Sequence, residues 1–93
     1  MSALSERLEM LLVLRWLDAG APEDGAVVVS LSETAKEVGL GGGRPELLRA
    51  MEALGELEGR GLVRVSWPAA AASEARVELG DDLRRDAQRL FRP

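Results

Sequence analysis

The sequence has no cysteine, histidine, tyrosine or asparagine, a single glutamine, and three aromatic residues, Trp16, Trp67 and Phe91. Each absence removes a chemistry. Without Cys or His there is no thiol nucleophile, no imidazole base, and no ligand set for structural zinc or for His-held haem. Any general base would be a carboxylate, and no carboxylate pair stands in an apolar stretch that would tune its pKa. No catalytic residue, metal ligand or cofactor is therefore assigned, and the chain is read as a non-enzyme. The apolar run Met10 to Leu14 ends at Arg15 and follows Glu6 and Glu9. A membrane span needs about twenty apolar residues, and a signal peptide a basic lead-in. No membrane association is expected, and the location is read as cytoplasmic. The scarcity of Asn, Gln and Cys suits a thermostable protein, and a GC-rich genome, which favours Arg, Ala and Gly, would give the same bias.

What is present is ordinary for one globular domain: 93 residues, 46% apolar and 30% charged. Eleven of the twelve basic residues are Arg, and sixteen acidic residues leave a net charge of −4. Proteins that grip nucleic acid generally carry a basic face, so the acidic balance favours protein partners.

Helical apolar spacing predicts a first helix over 4–19, capped by Ser2 or Ser5 and stopped at Gly20-Ala21-Pro22. A β-branched run predicts a short strand over 26–29. Ser30 and Glu33 fit a capping box for a helix over 31–38, with Ala35 and Val38 inward and Gly39 as the stop. Pro45 opens a helix over 45–58, whose inward stripe is Leu47, Ala50, Met51, Leu54 and Leu57. Gly59 and Gly61 can take the positive φ that ends helices. Alternation then predicts a hairpin, 62–67 and 75–79, and a last helix over 81–91. The fold class is mainly α with a small antiparallel β-sheet.

This order resembles the winged helix-turn-helix domains of bacterial regulators, with an added C-terminal helix. The residues that carry the likeness are Leu31-Ser32-Glu33-Thr34-Ala35-Lys36-Glu37-Val38-Gly39-Leu40 and Leu54 through Val65. The resemblance implies that the third helix enters a DNA major groove and the wing touches the backbone. The positions it points to are Arg44, Arg49, Glu52 and Glu56, with Arg60, Arg64 and Trp67 nearby. Two of these are Glu, which repels phosphate. The wing loop Pro68 to Ser73 has no Lys or Arg, and the turn before the third helix is long. These departures fit winged helices that became protein-docking modules, with a DNA-binding transcription regulator as the alternative.

The second half of the first helix is apolar nearly all round, so it needs a second cover, either the C-terminal helix or another subunit. The candidate homodimer interface is Leu8, Leu12, Val13, Trp16, Leu90 and Phe91. Trp67 shares a strand face with Val63 and Val65, which predicts core packing; near a wing tip it could instead dock on a partner. The loop Gly41-Gly42-Gly43-Arg44 reads as a lengthened turn, with an anion site as the sharper alternative. Gly55 and Gly59 lie one turn apart, where fraying or the close approach of another backbone would explain them. Arg84, Arg85, Arg89 and Arg92 interleave with Asp81, Asp82 and Asp86, which suits i,i+4 pairing and the helix dipole; a phosphate-contacting patch is the alternative.

Overall fold

The computed structural model describes residues 3–39, 43–67 and 74–91, the side chains of 90 and 91 excepted. Among these, the chain forms four helices and a three-stranded antiparallel sheet. In chain order these are α1 (Ala3–Asp18), β1 (Ala26–Ser30), α2 (Leu31–Glu37), α3 (Arg44–Gly59), β2 (Val63–Ser66), β3 (Glu74–Leu79) and α4 (Asp81–Phe91).

The helix ends follow from glycine. After α1, the Gly20 N–H bonds the Leu17 carbonyl and the Ala21 N–H that of Trp16, at 3.0 and 2.9 Å. After α3, the Gly61 N–H bonds Glu58 and the Leu62 N–H bonds Leu57, at 3.0 and 3.1 Å. Both are Schellman closures with a left-handed glycine, φ +90° at Gly20 and +76° at Gly61. Gly59, expected to share that role, is instead the last helical residue. Ala21 also takes a positive φ, 51°. The Trp16 indole helps hold that turn by donating to the Pro22 carbonyl at 2.9 Å, the same oxygen that closes the Pro22–Gly25 turn.

The sheet order is β1-β3-β2. Val27 and Val65 flank Val77, while Ala75 faces Val29 and Leu79 faces Val63. Alternation puts Ala75, Val77 and Leu79 on the buried face. Against that face lies one core, with Leu8, Leu12, Trp16, Leu54 and Leu57 almost fully enclosed. The outer edge of β2 is closed locally, since Glu58 Oε2 accepts the Val65 N–H at 2.9 Å. α4 packs on α1 through Leu83 and Ala87. Its N-terminus is held by Arg84, which donates to the Asp81 carboxylate and to the Glu23 carbonyl.

Several expectations are corrected. Ser30 does not cap α2 with its side chain; it is the last residue of β1, paired with Glu74, and its hydroxyl lies 3.1 Å from that of Ser32. Ser5 sits inside α1, fully buried, and donates to the Glu56 carboxylate on α3. Met51 leaves the inward stripe, and Ala53 takes its place. The predicted caps and turns at Ser2, Leu40 to Gly42 and Pro68 to Ser73 lie outside the described residues, as does Arg92.

Candidate functional site

α3 is anchored by Ala50, Ala53, Leu54 and Leu57, all buried. Successive helical residues turn by about 100°, so the opposite face is fixed by that anchor. Its centre is Leu48, Glu52, Gly55 and Gly59, with Met51 beside it. All five positions are exposed, and Leu48 and Met51 keep 53% and 38% of their surface in solvent. Leu48 was legible in principle. Leu47 and Leu48 stand about 100° apart on a helix, so a stripe that takes the first turns the second toward solvent.

The predicted contact residues divide around this face. Arg44 and Arg49 are exposed but lie about 140° apart around the axis, with Leu48, Glu52 and Gly55 between them. Glu52 is exposed, and Glu56 is tied to Ser5. Arg60 caps the C-terminus of α3 through its own N–H. Arg64 lies on β2 opposite Glu78. It lines a polar cleft of about 430 Å³ together with Glu58, Asp81 and Arg84. The arginines therefore form no continuous positive stripe along α3.

The carboxylates of that cleft are engaged within the chain, Glu58 with the Val65 N–H and the others with arginines. Arg76 bridges Glu78 and Asp24, the latter at 3.4 Å, and Arg84 pairs with Asp81. The Arg84 Nε is buried without a hydrogen-bond partner. On the exposed side of α4, Arg85 and Arg89 pair with Asp82 and Asp86 at 3.6 and 3.3 Å. Among the described residues, no group of three or more carboxylates could hold a metal ion, and no helix is long and apolar enough to cross a membrane.

The dimer candidates on α1 are corrected outright. Leu8, Leu12, Val13 and Trp16 are buried within the protomer, at 5% exposure or less, and offer no surface to a second copy. The large apolar side chains that α1 does expose are Met10 and Leu14. The side chains of Leu90 and Phe91 lie outside the described residues. Trp67 is also corrected: along β2 burial falls from Val63 through Val65 to Trp67, which is 42% exposed past the strand's end. The same pleat face continues, but the core beneath it has ended.

At the start of α3, the Glu46 carboxylate folds back toward Gly43. A methyl group on Gly43 would stand 2.5 Å from its Oε2. An acidic side chain at a helix N-terminus supplies the negative charge that an external anion would bring. Gly41 and Gly42, the rest of that anion-site reading, lie outside the described residues.

No protein-family model matches the chain, and neither a curated protein nor a solved structure does.

Proposed function

We propose that this chain is a non-enzymatic winged-helix interaction module that docks a protein through the outward face of α3. The element order and the β1-β3-β2 sheet support the winged-helix reading. In that architecture the third helix is the reading helix. The observation that carries the docking reading is the exposure of Leu48 and Met51 on that helix, beside Glu52. Apolar side chains gain about 25 cal/mol for each Å² removed from water. A phosphate-lined groove offers them little, while a carboxylate at the centre of the face repels it.

The test is titration of a fluorescent duplex with the full chain at low ionic strength, where electrostatic binding is strongest. No change in anisotropy is expected up to protein concentrations of roughly 100 μM, the range in which non-specific binders already associate. Binding that falls steeply with added salt would overturn the docking reading in favour of gene regulation.

A further inference from the structure

Gly55 and Gly59 occupy the exposed side of α3, one turn apart. Glycine is the poorest helix former after proline. Neither position has an internal reason for glycine: both are helical, and a Cβ on either would meet nothing within 4 Å. Together with Leu48 and Met51 they make a strip about 16 Å long, knobs at one end and a flat surface at the other.

We infer that this strip receives a second copy of itself, with the two α3 helices antiparallel. The inference rests on the docking reading above and names its partner. Polarity and charge select the arrangement. A parallel pair would gather the arginines of both copies, Arg44 and Arg49, at one end and the carboxylates Glu56 and Glu58 at the other, like against like. An antiparallel pair with its dyad between Met51 and Glu52 lays Leu48 of each copy over Gly55 of the other and brings the two Glu52 side chains together at the dyad, a like-charge contact that keeps the association weak. In the same register Arg44 comes beside Glu58 on one flank, and Arg49 comes beside Glu56 on the other. The remaining offsets are one and two residues, about 1.5 and 3 Å along the axis, within the reach of an arginine side chain. Glycines at the crossing let the backbones approach closely and seat the leucines. One helix pair buries less than the usual 1,200–2,000 Å² or so of a stable complex, so the expected dissociation constant is on the order of 100 μM.

Sedimentation equilibrium from about 10 μM to 1 mM, a range set to bracket that constant, tests this on the intact chain. The wild type should show reversible dimerisation. Leu48→Glu and Gly55→Gln should each raise the dissociation constant by about tenfold or more. Gly55→Gln should not lower the melting temperature, because Gln is the better helix former; lost dimer with an undiminished melting point separates the interface from the fold. The chain has no native cysteine, so disulfides report the register directly. A mixture of L48C and G55C chains should cross-link to each other faster than either does to itself. A wild type that stays monomeric at 1 mM, a dimer indifferent to both variants, or preferential L48C self-linking would overturn the inference. If the wild type is monomeric and also fails to bind duplex, the docking face belongs to a different protein; duplex binding would remove the docking reading as well.

Discussion

Gly25 turns the chain from the α1–β1 connection into the sheet at φ +71°, and its carbonyl accepts the Leu79 N–H at 2.9 Å. A Cβ there would stand 2.8 Å from the Leu79 carbonyl oxygen and 3.1 Å from Arg84 Cδ. The arginine can shift, but the Leu79 backbone cannot move without breaking the bond that joins the turn to β3. Gly25→Ala should therefore cost more than its left-handed backbone alone, about 2–4 kcal/mol in all. Gly20 is the matched control: its φ is +90°, but a Cβ there would meet nothing within 4 Å. Gly20→Ala should cost about 1–2 kcal/mol, the backbone penalty by itself. Urea midpoints with an unchanged slope would measure both; equal losses would show that the Leu79 contact relaxes freely.

Ser30 stands where two elements meet, and their competition decides what its hydroxyl does. The Ser-Leu-Ser-Glu order carries the local signal of a capped helix, but the residue is also the last rung of β1 against Glu74. Its φ and ψ, −84° and 127°, suit either role, and no side-chain cap bond forms. Ser30→Ala should then cost under about 0.5 kcal/mol rather than the roughly 1 kcal/mol of a working cap; thermal melts resolve that difference, and a full-cap loss would count against the observed rotamer. Here lies the boundary of what could be read beforehand. Helix and strand spans were legible because each carries a local period and a glycine stop, as at Leu57-Glu58-Gly59-Arg60-Gly61-Leu62. How far an inward stripe extends around the helix was not, because that depends on the partner element. The helical period alone sets Met51 in the inward stripe, but the covered face extends to the other side, through Ala53, about 160° away around the axis. Alternation gives Trp67 the fate of Val63 and Val65, but it says nothing about where the core stops. The four α1 residues assigned to a dimer showed only that they need covering; the cover is the protomer itself.

Charge over the whole molecule argues against duplex binding more strongly than the net value of −4 suggests. Among the described residues, Arg15, Arg76, Arg84, Arg85 and Arg89 each lie within 4 Å of a carboxylate oxygen. Arg7 turns inward to the Val38 carbonyl at the end of α2. Arg44 and Arg49 stand on separate flanks of α3. On this argument shape is no obstacle to DNA and charge is. The double substitution Leu48→Lys with Glu52→Lys tests it, because both positions are exposed and neither supports the core. It changes the central face by three charge units, removing one negative and adding two positive. The variant should fold as the wild type does and acquire weak, sequence-independent duplex binding. The logarithm of its binding constant should fall with the logarithm of salt at a slope of about −2 to −3, close to −0.9 for each phosphate met by a new or neighbouring cation. A variant that folds yet stays silent on duplex at low salt would mean that the face does not fit a groove at all, and the obstacle would then be geometry rather than electrostatics.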